Sequence, residues 1–118
     1  MAHPMEAGMI YPDFLRGFPR VDLDLPGVEG YLVAGEKGLA VFWEFTRDTT
    51  VPPHSHGAQW GHLFSGRLEL TISGETRTIL PGDSFFVPAG AVHSVVVDRG
   101  TRVMDLFEDR DRYAARRA

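Results

Sequence analysis

The residues best equipped for chemistry lie in the stretch Pro52-Pro53-His54-Ser55-His56-Gly57-Ala58-Gln59-Trp60-Gly61-His62. Two histidines two positions apart on an extended segment point to the same side, so both imidazoles can reach one ion. Pro52 and Pro53 keep the approach extended, because each ring fixes φ near about −65°. A third histidine, His93, ends the segment Pro88-Ala89-Gly90-Ala91-Val92-His93. Three neutral imidazoles suit Zn, Ni, Cu or Fe(II). The plainer alternative is that these are surface histidines beside a proline-rich turn. His3 stands near the N-terminus and receives no role. Glu44 and Asp105 fall inside apolar runs where a carboxylate is unexpected. Either could be an acid-base group beside a metal, although an outward, solvated side chain is the expectation for each.

The composition narrows the remaining classes. There is no cysteine, so disulfides, thiolate metal sites and cysteine nucleophiles are excluded. A formal charge of −4, with no basic run except Arg116-Arg117, offers no patch for nucleic acid. No run of about 18 apolar residues exists to span a membrane. The N-terminus Met-Ala-His-Pro-Met-Glu-Ala-Gly lacks the basic and apolar parts of a signal peptide, so a cytoplasmic location is expected. No Ser-His-Asp arrangement, P-loop or dinucleotide fingerprint is present.

Something must hold these residues in place. The chain has 118 residues, enough for one domain with a real core. Thirteen glycines and eight prolines are spread along it and punctuate short elements. Between them lie runs rich in Val, Phe, Trp, Thr and Leu, which favour strands. Strands are expected at 30–34, 39–47, 60–64, 67–73, 75–80, 84–88, 93–97 and 101–108. From Leu68 to Ser73 the alternation is clear, with Leu68, Leu70 and Ile72 on one face. Ser73-Gly74 reads as a hairpin turn and Asp98-Arg99-Gly100 as another. Helical signal is confined to Asp109–Ala118. Trp43, Phe45, Trp60, Phe85, Phe86 and Phe107 are expected in the core or lining a pocket. Many short strands with regular turns predict an all-β sandwich or closed barrel. Residues 1–20 show no period and are read as an arm or swapped strand, 21–110 as the barrel and 111–118 as a tail.

The spacing His54-x-His56-x2-Gln59-x6-Gly66 resembles the first motif of the cupins. The spacing Gly82-x5-Pro88-x-Gly90-x2-His93 is similar to their second motif, and fifteen residues separate Gly66 from Gly82, as in compact bacterial cupins. The resemblance covers about residues 39–108. A group of small cupins with His-Ser-His-x-x-Gln-Trp-Gly and a C-terminal Asp-Arg-Tyr looks closer still, matching Asp111-Arg112-Tyr113. The chain is thereby identified as a small single-domain member of the cupin type 2, RmlC-like superfamily. That resemblance implies a double-stranded β-helix, or jelly-roll barrel, with one divalent metal inside on His54, His56, Gln59 and His93. It also implies a homodimer.

Two departures matter. The usual glutamate of the first motif is Gln59 here, in a loop one residue shorter than in many cupins, and the usual final asparagine of the second is Val97. Gln59 would coordinate through its neutral carbonyl oxygen. His62 is the rival fourth ligand and the stronger one by chemistry, but three positions from Gln59 it faces the other side of a strand unless a bulge intervenes. A neutral amide leaves the ion its full charge and makes it a stronger Lewis acid. Zn or Ni is therefore expected, with Fe(II) and Mn also compatible. The implied function is Lewis-acid chemistry on a small molecule, as in an isomerase, lyase or cyclase. An iron-dependent dioxygenase and a non-catalytic small-molecule binding or sensory cupin are the alternatives. No nucleic-acid or membrane partner is expected.

Overall fold

A computed structural model describes residues 11–117. Among the described residues it contains a four-residue helix, α1 (Asp13–Arg16), and nine strands. These are β1 (Val28–Ala34), β2 (Leu39–Phe45), β3 (Thr49–His54), β4 (Gln59–Ser65), β5 (Leu68–Ile72), β6 (Glu75–Ile79), β7 (Ser84–Val87), β8 (His93–Val97) and β9 (Arg102–Phe107). Every strand pair is antiparallel. Five strands form one sheet in the order β1-β2-β9-β4-β7, and four form a second in the order β3-β8-β5-β6. The two sheets make the jelly roll that the resemblance implies.

Strict alternation decides which side chains fill it. Along β2, Leu39, Val41, Trp43 and Phe45 are buried while the residues between them are partly exposed. With Leu63, Leu68, Leu70, Val97, Val103 and Phe107 they form one apolar cluster. Burying each such side chain contributes about 1.5–3 kcal/mol. The hairpin between β5 and β6 closes on Ser73 and Gly74, both at positive φ (50° and 87°), with Ile72 facing Glu75. That is the two-residue turn whose twist matches antiparallel strands. Gly66 turns the chain from β4 to β5 at φ 85°, and a Cβ there would strike the Thr101 side chain and backbone. Thr101 is fully buried, and its hydroxyl bonds both the N–H and the C=O of Arg67.

Three expectations change. No strand was expected over β3, although Pro52 and Pro53 were read as holding the approach to His54 extended. β3 is an edge strand, where a missing N–H is tolerated. The helical signal expected over Asp109–Ala118 does not become a helix over its described part, residues 109–117; this segment instead folds back along residues 20–22, where Asp22 N–H donates to Ala114 O at 2.8 Å and Val21 bridges Ala115. Tertiary pairing outweighs weak local helix propensity there. Of the aromatics expected in the core or lining a pocket, Trp60 and Phe86 leave the core and line a shallow depression on the outer face. They are 40% and 56% exposed, because they alternate with the inward Gln59 and Phe85. They extend an outward row in cross-strand register, Val33, Ala40, Leu106, Trp60 and Phe86, across all five strands.

Of the arm expected over residues 1–20, positions 1–10, His3 among them, lie outside the described residues. Tyr11 is buried on the outer face of the five-stranded sheet, edge-on to Tyr31, Phe42 and Phe64. Its hydroxyl donates to Trp43 O at 2.9 Å.

Candidate metal centre

His54 is the last residue of β3 and His93 the first of β8, and the two are cross-strand partners. A bulge makes this possible. Val51 pairs with Val95, but the next pair is His54 with His93, so β3 carries one extra residue across Pro52-Pro53. Without it, His54 would face away from Thr49 and Val51, toward solvent. His56 follows two residues on, in a loop pinned from two sides. Gly90 N–H donates to His56 O at 2.9 Å, and Gly57 N–H donates to Asp109 Oδ2 at 2.8 Å.

The three rings converge. Their centroids are 4.2 Å (His54–His93), 4.8 Å (His56–His93) and 5.3 Å (His54–His56) apart. One ligand atom from each lies within 4.8 Å of the others. That spacing would let all three offer a nitrogen to one ion. Each Nδ1 is held by a backbone carbonyl: Pro52 O at 2.9 Å, Gly57 O at 2.8 Å and Ala91 O at 3.0 Å. A carbonyl can only accept, so Nδ1 carries the hydrogen and Nε2 keeps its lone pair. The Nε2 atoms of His56 and His93 are buried with no hydrogen-bond partner. Burial, before any other cause, lowers the pKa of both rings, reinforced by the neighbouring His54 and Arg112 charges and opposed by their carbonyl bonds. Two neutral, unpartnered nitrogens aimed at one point are costly in a folded interior unless an ion takes them. The group fits a divalent metal.

Gln59, first residue of β4, lines the same cavity of about 170 Å³, and its Oε1 is likewise buried without a partner. His62 is on the outer face, with Nδ1 2.8 Å from Ser84 Oγ and its ring over Trp60. The structure therefore brings His54, His56, Gln59 and His93 together and leaves His62 out.

The carboxylates separate. Glu44 faces outward as expected and accepts from Arg16, Arg102 and the Tyr31 hydroxyl. Asp105, expected outward, is instead buried in the cavity, because it shares the inner face of β9 with Val103 and Phe107. Trp43 Nε1 donates to its Oδ2 at 3.1 Å, and Oδ1 has no partner. Burial pushes its pKa up to about 6, against the proximity of Gln59, the Trp43 hydrogen bond and the charge of Arg112.

Arg112 and Tyr113 were not read as site residues in the sequence. Both line the cavity. Tyr113 packs edge-on against Trp43 (5.2 Å) and Phe107 (5.6 Å), and the Arg112 guanidinium lies 4.5 Å from the Tyr113 ring centroid. Arg112 has no ion-pair partner among the described residues, and its Nε is buried and unpartnered. The Asp111-Arg112-Tyr113 similarity was the only signal that pointed to this segment.

A two-sheet jelly roll with three inward imidazoles and a walled cavity defines a class of β-barrel whose histidines could hold a metal. The comparisons supply the family: the cupin domain profile matches residues 41–107, more than half of the chain, and the protein belongs to the cupins. KdgF from Halomonas sp. superposes with a TM-score of 0.69 at 30% identity, covering 77% of this chain and 89% of that one. An RmlC-like cupin from Shewanella frigidimarina gives 0.68 at 21% identity, covering 79% and 86%. Oxalate decarboxylase from Bacillus subtilis, a protein with Mn(II) centres, gives 0.65 at 19% identity, covering 82% of this chain and 30% of its own. No curated protein matches the chain in sequence.

Proposed function

We propose that this cupin is a metal-dependent enzyme that acts on a small anionic molecule by Lewis-acid chemistry, as an isomerase, lyase or cyclase. The observation that carries the reading is one cavity holding three kinds of group at once. These are the convergent Nε2 atoms, a buried carboxylate with one free oxygen, and an arginine with no acidic partner among the described residues. A divalent ion on His54, His56, His93 and Gln59, with Zn or Ni favoured over Fe(II) and Mn, would polarise a substrate oxygen. Asp105 is suited to take and return a proton, since a pKa near neutrality favours both directions. Arg112 would pair with a substrate carboxylate and fix its orientation against the Phe107 and Tyr113 rings. The apolar walls would exclude bulk water and strengthen each of these interactions.

The test begins with protein stripped of metal and reloaded with Zn, Ni, Fe(II) or Mn in turn, and incubated with small hydroxy- and keto-carboxylates under NMR. Metal-dependent conversion without oxygen uptake supports the reading. Oxygen consumption with the iron form would make it a dioxygenase. Saturable binding without turnover in every metal form would make it a binding or sensory cupin. An Arg112→Leu variant that binds carboxylates as wild type does would remove the anionic substrate class.

We also propose a homodimer through the outer face of the five-stranded sheet. The in-register row from Val33 to Phe86 supports it, since Val33, Leu106, Trp60 and Phe86 are all exposed there. A contiguous apolar patch of this kind marks an interaction surface more often than free solvent contact.

A further inference from the structure

A glutamine is an ambiguous oxygen donor. Its amide has an accepting end and a donating end of nearly equal shape, and a half-turn about the last bond exchanges them. Facing an ion, the oxygen attracts and the NH2 repels. Something beside Gln59 must therefore select the end that faces the imidazoles.

The register of β4 and β9 places a selector there. Gln59 pairs with Phe107 and Gly61 pairs with Asp105, so Gln59 and Asp105 are diagonal neighbours on the inner face. Gly61, directly opposite Asp105, has no side chain, and the Phe85 ring fills its space. The polar neighbour left to Asp105 on β4 is Gln59, the diagonal residue, and its proximity favours the ionised carboxylate. On the other flank Trp43 donates its indole N–H to Asp105 Oδ2. An indole can only donate, so the chain has a fixed direction from that end. With one oxygen taken by the indole and the other still unpartnered, the carboxylate draws the donating end of the Gln59 amide toward itself. The Gln59 oxygen is then left facing inward, where it is buried and unpartnered, like Nε2 of His56 and His93.

The geometry points to Asp105 as the positioning residue that fixes which end of the Gln59 amide faces the metal site, with Trp43 anchoring Asp105 in turn. This rests on the reading of Gln59 as the fourth ligand. The negative charge that a glutamate would place on the ion is moved one residue further back. The pair Gln59–Asp105 thus supplies an oriented oxygen while the ion keeps its charge.

The test is metal affinity by competition with a chelator, for Zn and Ni, together with the visible absorption of Co(II)-loaded protein as a coordination signature. Asp105→Asn keeps the shape but offers one accepting oxygen to two N–H donors. It is expected to weaken metal binding about tenfold to a hundredfold, the usual effect of losing an outer partner of a ligand, and to change the Co(II) spectrum. Gln59→Ala should weaken binding at least as much, and the double variant no more than Gln59→Ala alone. Circular dichroism of the metal-free proteins checks folding. If Asp105→Asn fails to fold, Trp43→Phe removes the N–H anchor and keeps the ring, and is expected to give a smaller loss in the same direction. Wild-type affinity and spectrum in Asp105→Asn, or multiplicative losses in the double variant, overturn the inference. Wild-type affinity in Gln59→Ala overturns instead the ligand reading beneath it.

Discussion

Asp105→Asn should stabilise the metal-free protein at neutral pH, and by an amount that grows with pH. The carboxyl is buried among apolar walls, so the folded state favours its protonated form, raising the pKa from 3.8 to about 6. For an acid raised in this way, the favourable contribution is complete below the unfolded value and is lost as pH climbs through the folded value. At about 1.36 kcal/mol per pKa unit, the full loss is about 3 kcal/mol. Against a typical domain stability of about 5–15 kcal/mol this is large. Asparagine cannot ionise, so the stability difference between the two proteins isolates the effect from other titrations. Roughly half of it, about 1.5 kcal/mol, falls between about pH 5 and pH 8. Urea unfolding of both proteins in chelator-containing buffer, followed by tryptophan fluorescence, measures it. Parallel pH profiles, or a gap that narrows as pH rises, would show that Asp105 does not sit ionised in a dry pocket. The same substitution is expected to weaken metal binding, so stability and site quality should move in opposite directions.

Saturating Zn or Ni at about 100 times its Kd should raise wild-type stability by about 2.7 kcal/mol, read as a rise in Tm. His93→Ala should abolish that rise, and a full rise in this variant would dissolve the three-histidine centre. Gly61→Ala should cost about 1–3 kcal/mol in urea unfolding, because its Cβ would enter the Phe85 ring; an unchanged midpoint would mean that the ring moves aside freely. Leu106→Glu, in the middle of the outward row, should turn a dimer into a monomer by analytical ultracentrifugation while metal content stays the same. A wild type that already sediments as a monomer would dismiss the dimer.

Much of this architecture was legible because period-two patterning and turn residues act locally. Eight of the strands were read from their β-branched and aromatic runs, with alternation clear from Leu68 to Ser73, and Ser73-Gly74 does what its chemistry dictates. The histidines were legible as a cluster, yet the reason His54 faces inward was not. Counting from Thr49 and Val51 sends His54 outward, and only the extra residue at Pro52-Pro53 reverses it. Asp105 could have been placed by parity with Val103 and Phe107, and Trp60 by its position next to inward Gln59. The expectation that charge goes out and aromatics go in overrode that geometry. Arg112 and Tyr113 gave no periodic signal at all. Their place depends on the tail pairing with residues 20–22, about ninety positions away, a contact that no local window contains.

The carbonyls that hold the three Nδ1 atoms belong to residues one or two positions from their own histidines. Each imidazole is thus oriented by a carbonyl of its own stretch of main chain. Changes elsewhere in the cavity can then alter which oxygen donors meet the ion, or what binds beside it, while the nitrogen tripod stays put. A barrel wired in this manner would separate holding a metal from deciding its use, and leave the second free to diverge.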